Sequence, residues 1–288
     1  MAFSWPVFRT RALSAVVFVI IMIAGLLWNQ WTFLLLFSVI HFGCWHEYNK
    51  LVGLIDPAYQ TIHPLHKYGV PLIGWGLMLW MTDQTYHLGN LRIALLGWLF
   101  CWIGLIAFIV GEMLLSSPIR PRLWAHSFSG ILYISLSTGL MMRLYGNPGQ
   151  AWEMHPSWLL PVLLICAIWI NDTMAYIVGS LIGKTPFSAI SPKKTWEGTI
   201  GGAILAVTAI SLAGHYWLAI GWPALLAISL TAAVAGTAGD LLESKLKRLA
   251  GVKDSGTMMP GHGGFLDRFD SLLVATTVLW CIWIWLAG

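Results

Sequence analysis

The 288 residues include only 16 Lys+Arg and 12 Asp+Glu, 10% charge against roughly 25% in an ordinary soluble domain, whereas 58% are hydrophobic and 18 are Trp. This composition excludes a soluble globular protein, a disordered chain and a coiled coil. It also excludes a disulfide-framed secreted domain, because Cys44, Cys101, Cys166 and Cys281 all fall inside apolar runs with no paired spacing.

A membrane-crossing helix needs about 17 to 25 mostly apolar residues. Ala12–His46 is 35 residues without a charge, and as one helix it would reach roughly 52 Å, too long for a ~30 Å hydrocarbon core. Asn29-Gln30 is the natural turn, so the run predicts two spans in a tight hairpin. No Ala-x-Ala-like site follows the first apolar stretch, which is therefore read as a retained helix. Single spans are predicted near Tyr68–Thr82, Ile93–Leu115, Leu123–Tyr145 and Trp158–Gly183, the first being the weakest because it is short and contains Pro71. Gly198–Gly239 is 42 uncharged residues interrupted near Gly214–Pro223, so it too folds back once, and Ser271–Ala287 closes the count.

The expected fold is therefore all-α: a polytopic integral membrane helical bundle of about nine transmembrane helices. Residues 1–155 hold spans one to five, a scaffold with possible lipid access, and residues 156–288 hold spans six to nine. The basic residues test that count. With the amino terminus cytoplasmic, Arg9, Arg11, Lys50, Lys67, Arg120, Arg122, Lys184, Lys193, Lys194, Lys245, Lys247, Arg248, Lys253 and Arg268 fall on one side. Only Arg92 and Arg143 fall on the other. One span more or fewer would scramble that bias downstream. The expectation is a cytoplasmic amino terminus and an outside carboxyl terminus, in the cell (plasma or inner) membrane.

Polar groups concentrate in two connections of the carboxyl-terminal half, 184–198 (KTPFSAISPKKTWEG) and 239–270 (GDLLESKLKRLAGVKDSGTMMPGHGGFLDRFD). Such groups cost free energy near hydrocarbon, so their gathering at helix ends marks a site. Asp240 and Glu243 are three apart, on one face of a helix, and Asp267 and Asp270 repeat the spacing. Paired carboxylates at helix ends suit a hard cation such as Mg²⁺. They equally suit helix-end pairing with Lys247, Arg248 and Arg268, and the spacing does not choose between these. In Pro260-Gly261-His262-Gly263-Gly264, three glycines let backbone N–H groups approach an anion before a helix start, though a plain re-entry turn has the same composition. Ser191-Pro192-Lys193-Lys194-Thr195 suits phosphate, or else marks topology and anionic lipid heads. Asp172, in mid-span after Asn171, is a functional candidate by position, and Glu112 a weaker one. His63 and His66 have no convincing third ligand and are assigned no metal.

From Ser244 to Asp270 the chain resembles the phosphatidate cytidylyltransferases (CDP-diacylglycerol synthases). The matching positions are Ser244, Lys247-Arg248, Lys253-Asp254, Gly256, Pro260, His262-Gly263-Gly264, Asp267-Arg268 and Asp270, with Met259 where Leu, Ile or Phe is usual. Upstream, Asp172-x-x-Ala175-Tyr176-x-x-Gly179, Gly183-Lys184, Ser191-Pro192-x-Lys194-Thr195-Trp196-x-Gly198 and Gly239-Asp240-x-x-Glu243-Ser244 resemble it as well. The likeness spans roughly residues 165–275, and the amino-terminal half shares only hydropathy.

The resemblance implies transfer of CMP from CTP to phosphatidate, releasing pyrophosphate, with Mg²⁺ as cofactor and K⁺ as a candidate second cation. It implies a homodimeric nine-helix bundle, membrane lipids and the two substrates as partners, no nucleic acid, and an active site facing the cytoplasm. Asp240 and Asp267 are the implied metal ligands. Asp240, Asp267, Asp270 and Lys194 are the implied catalytic set. Ser191, Lys193, Lys194, Glu243, Lys253, His262, Gly263, Gly264, Arg268 and Asp172 are assigned to substrate binding. The alternatives are a related CTP-dependent enzyme on another lipid (a polyprenol kinase or archaeol-phosphate cytidylyltransferase) and, from another class, a membrane transporter. A CDP-alcohol phosphotransferase would need an Asp-Gly pair, which this sequence lacks.

Overall fold

Without water to take up backbone hydrogen bonds, long uncharged runs become helices, and the structure, a computed structural model, is built almost wholly of them. It describes residues 5–82, 84–115, 120–146, 152, 154–258 and 263–287. The chain forms two compact units: Met1–Met142 with Leu249–Phe269, and Arg143–Arg248 with Asp270–Gly288. The connection 249–269, placed by sequence with the carboxyl-terminal spans, thus packs in the first unit.

In the first unit, α1 (Trp5–Leu27) and α2 (Gln30–Ile55) are separated at the expected turn. Asn29 takes extended backbone and its Oδ1 accepts from the N–H groups of Trp31 (2.9 Å) and Thr32 (3.0 Å), while Thr32 Oγ1 accepts from Asn29 N–H at 3.2 Å. That reciprocal cap satisfies donors a new helix leaves open. A short 3₁₀ turn (Pro57–Thr61) leads to α3 (Pro64–Trp80), which keeps Pro71 inside it. The Pro71 carbonyl lies 3.1 Å from His41 Nε2 of α2. A two-residue hairpin, His87–Leu88 with Leu91–Arg92, then turns into α4 (Ile93–Leu115). This hairpin departs from the all-helical expectation, and Gly89 supplies the positive φ of 60° at its turn. α5 (Pro121–Gly130) and α6 (Leu136–Gly146) join through one π-helical turn, Ile131–Ser135.

Sequence spacing did not reveal the polar network within this unit. His66 Nδ1 lies 3.1 Å from Glu112 Oε1, and His66 Nε2 lies 2.7 Å from Ser127 Oγ. Tyr59 Oη is 3.0 Å from Ser127 Oγ and donates to Asn49 Oδ1 at 3.2 Å, while Trp124 Nε1 donates to Glu112 Oε2 at 3.2 Å. Glu112 and His66 are both buried, so their polarity is matched internally, which is how such groups persist in an apolar interior. Glu112→Ala should cost about 2–4 kcal/mol by stranding His66 and Trp124 donors. A thermal-unfolding series in detergent checks this, and a midpoint equal to wild type would show that the network contributes nothing.

The second unit contains α7 (Leu159–Ile182), α8 (Trp196–Leu218), α9 (Trp222–Leu249, the last residue falling in the first unit) and most of α10 (Leu266–Ala287). α8 and α9 part at the expected break, where Ala219 has φ 55° and its N–H bonds back to the Gly214 carbonyl. α7 and α8 press together through glycines. A Cβ on Gly198 would stand 2.7 Å from the Ala175 carbonyl and 2.8 Å from Gly179 Cα, and one on Gly202 would stand 2.6 Å from Ala175 N.

Among the described residues, five helices have the length and apolarity of a membrane crossing: Ile93–Leu114, Leu159–Ile182, Trp196–Leu218, Trp222–Leu249 and Leu266–Leu286; Ala12–Leu27 is a shorter apolar helix. α2 falls outside that set because His41, His46, Glu47, Asn49 and Lys50 make its second half polar. α4 leaves Trp98, Phe100, Trp102, Ile103 and Ile106 exposed, a surface suited to lipid rather than water. The chain is an all-α, multi-pass membrane protein.

Candidate active site

Within the second unit, α9 presents Asp240 and Glu243 on one face, and the start of α10 presents Asp270. One oxygen from each of the three carboxylates lies within 4.8 Å of the others. The two helices can approach because residue 239 is glycine: a Cβ there would stand 2.5 Å from the Asp270 carbonyl and 3.0 Å from Ser271 Cα. Glu243 and Asp270 are buried, and Asp240 is half-buried. Lys194 forms an ion pair with Asp240 Oδ2, and Lys247 Nζ lies 2.5 Å from Glu243 Oε2, one helical turn on. Asp270 Oδ1 accepts from Ser271 N–H at 2.7 Å. Asp172 of α7 receives a hydrogen bond from Asn171 Nδ2 at 3.4 Å and lies within electrostatic reach of Lys194 and Asp240.

The Lys194 loop is a built structure rather than a slack connection. Phe187 N–H donates to the Lys194 carbonyl (2.8 Å), and Trp196 N–H donates to Thr185 O (3.0 Å). Glu197 accepts from Lys184 N–H (3.2 Å), Thr185 N–H (3.1 Å) and Thr185 Oγ1 (2.8 Å). Thr195 caps α8 through Gly198 N–H at 3.1 Å, and the Phe187 and Trp196 rings meet at 4.5 Å. This frame aims Lys194 inward and leaves Lys193 exposed, with Ser191 part-exposed and its carbonyl accepting from Lys194 N–H.

Asp267 belongs to a different cluster, in the first unit. Its Oδ2 accepts from Gly264 N–H (2.7 Å) and Ser255 N–H (2.9 Å), and lies 2.9 Å from Ser255 Oγ. Glu47 of α2, buried, accepts from Phe265 N–H (2.8 Å) and Leu266 N–H (2.9 Å), with Ser255 Oγ at 2.6 Å. The single Ser255 hydroxyl proton serves one of the two carboxylates at a time. A Cβ on Gly256 or Gly264 would collide with the Glu47 carboxylate, and Gly263 has φ 85°. These glycines therefore accommodate a protein carboxylate, and a phosphate at Gly264 N–H would have to displace Asp267. Lys253 and Arg268 are exposed in this unit. His262 lies outside the described residues.

Glu47 is the participant that sequence reasoning missed. It lies 208 residues before Ser255 and matches no quoted motif. The available signal was its position, a carboxylate one residue past the long apolar run, the same reasoning that singled out Asp172.

Three carboxylates and two lysines thus gather near helix ends of a multi-pass membrane protein, in an arrangement that could hold a metal ion. Comparison with known proteins narrows this class. The Cytidylyltransferase family profile matches residues 9–285. The phosphatidate cytidylyltransferase of Synechocystis sp. is 32% identical over 296 residues, covering 94% of each chain. That of Helicobacter pylori strain 26695 is 34% identical over 208 residues, covering 71% of this chain and 76% of its own. An Arabidopsis chloroplastic phosphatidate cytidylyltransferase is 35% identical over 165 residues, 53% of this chain and 39% of its own. The chain belongs to the cytidylyltransferase family.

Proposed function

We propose that this chain transfers CMP from CTP to phosphatidate, forming CDP-diacylglycerol and pyrophosphate for phospholipid biosynthesis. The observation that carries the reading is the Asp240–Glu243–Asp270 cluster with its two lysines, within the span that the family profile matches. A phosphatidate phosphate oxygen attacks the α-phosphorus of CTP, the bond to the pyrophosphate oxygen breaks, and pyrophosphate leaves. Both reactants are polyanions, so the protein's task is alignment and charge compensation.

The donor set fits Mg²⁺: all hard carboxylate oxygens, close together, with ammonium groups already drawn to them. Asp240 would hold the ion with Glu243 and Asp270, and the resemblance adds Asp267 as a ligand; K⁺ is proposed as the second cation. When bound, the ion polarises phosphate oxygens and offsets their charge. Lys194 is a mobile counter-charge, able to leave Asp240 for a nucleotide phosphate, and Asp172 holds it nearby when it does. Ser191, Lys193, Lys253, His262, Gly263, Gly264 and Arg268 are assigned to phosphate and nucleotide contacts. Glu243 fixes Lys247 beside the cluster.

Nine crossings, a cytoplasmic amino terminus and a site facing the cytoplasm complete the proposal. The fourteen-to-two division of basic residues supports them, and CTP is a cytoplasmic reactant. The resemblance adds a homodimer in the cell membrane to this proposal. Purified protein with CTP, Mg²⁺ and phosphatidate should release pyrophosphate and form the liponucleotide in equal amounts. If well-folded protein transfers no CMP to phosphatidate, the reading is wrong.

A further inference from the structure

The first unit has a concave feature whose lining, among the described residues, includes neither Glu47 nor Asp267. A cavity of about 770 Å³ lies between α2 and α3, closed at one end by the 3₁₀ turn. α2 lines it with Phe42, Trp45, His46, Asn49 and Lys50, residues three and four apart that form one stripe of the helix. α3 contributes Lys67, Tyr68, Pro71 and Leu72, again one stripe. The volume falls within the roughly 300–1,000 Å³ of small-molecule sites.

The polarity of this groove runs in one direction. Lys50 is near the end of α2 and Lys67 is in the first turn of α3, so both sit at the end where the 3₁₀ turn joins the helices. Phe42 and Leu72 lie about 12 Å and 8 Å further along their helices, at 1.5 Å per residue, and both are exposed. Tyr59 and Asn49 are pinned by the Ser127 network, with Tyr59 Oη donating to Asn49 Oδ1 at 3.2 Å. Burial pushes the Tyr59 phenol above its ordinary range, so it remains a neutral donor.

The charge is uncompensated within the groove. Among the described residues, no carboxylate lines it and neither Lys50 nor Lys67 has an acidic partner. The nearest acids in sequence are engaged elsewhere: Glu47 with Ser255, Phe265 and Leu266, and Asp56 with Arg122 at 3.0 Å and His126 at 3.4 Å. Lys67 Nζ rests 5.8 Å from the Tyr68 ring centroid. A basic collar above an apolar, outward-opening trough matches an amphiphile with an anionic head and hydrocarbon tails.

We propose that the α2–α3 groove is a binding site for an anionic glycerophospholipid, with its head-group phosphate at Lys50 and Lys67 and its chains along Phe42 and Leu72. Lysines merely snorkelling to a membrane surface would attract anionic lipid without requiring a groove. The proposal does not rest on cytidylyl transfer, because occupancy needs no turnover.

The test is photolabelling of the full-length protein in phosphatidylcholine vesicles doped with a diazirine-bearing phosphatidate, read by peptide mapping. Labelling should fall on peptides covering residues 42–72. It should drop about 30-fold in Lys50→Gln/Lys67→Gln, as loss of two lipid-facing charges would produce, and persist in the Lys50→Arg/Lys67→Arg pair. Leu72→Trp, which fills the trough and leaves the charges alone, should also reduce it. Excess unlabelled phosphatidate should compete, and inorganic phosphate at equal concentration should not. Undiminished labelling in the glutamine pair or in Leu72→Trp would overturn the proposal. So would equal labelling by a phosphatidylcholine analogue, or full competition by inorganic phosphate, which would make this a phosphate site rather than a lipid site.

Discussion

Asp240→Asn is expected to lower kcat by about 10²–10³-fold, the scale for losing a group that organises charge around a reacting phosphorus. The substitution keeps shape and removes one negative charge, so packing of α9 should survive it. Asp240 is the least buried of the three clustered carboxylates and the one paired with Lys194. It is therefore the ligand best able to exchange a lysine for a metal ion. Loss of its charge weakens cation binding and also frees Lys194. Mn²⁺ affinity followed by electron paramagnetic resonance separates this from misfolding, since a folded variant with weak Mn²⁺ binding is the expected outcome. Near-normal turnover at ordinary Mg²⁺ would remove Asp240 from the metal centre.

What the sequence reveals about this site and what it hides follow from distance along the chain. Helix breaks at Asn29 and at Gly214–Pro223 were legible because caps and turns are local, set by residues within one or two turns. The Asp240–Glu243 pair was legible for the same reason, and the structure adds Asp270 beside it through the close α9–α10 approach at Gly239. Contacts between distant segments carry no such spacing. Glu112 appeared only as an isolated charge in an apolar run, and its partner His66 lies 46 residues away. The Lys194–Asp240 pair joins a loop to a helix 46 positions on, so both residues were named without their being paired. The hairpin at His87–Arg92 was missed because two-residue strands have no hydrophobic period to read.

The same principle makes Glu47 the position where a change remote from every motif should have the largest structural effect. Its carboxylate, 5% exposed, satisfies Phe265 and Leu266 N–H at the start of α10 and lies 2.6 Å from Ser255 Oγ. Helix starts leave N–H groups without intrahelical partners, and a negative charge there also meets the helix dipole favourably. Glu47→Ala removes the acceptor and leaves these donors in an apolar interior, a cost of about 3–5 kcal/mol. Glu47→Gln should recover little of this, because its amide presents N–H donors where donors already point. The loss should appear as faster amide hydrogen exchange across residues 253–267 and a lower unfolding midpoint. Because Asp267 lies in the first turn of the helix that Glu47 anchors and Asp270 follows three residues later, turnover should fall with the order of that turn. Unchanged exchange protection in Glu47→Ala would mean that Asp267 and Ser255 hold the start of α10 without it.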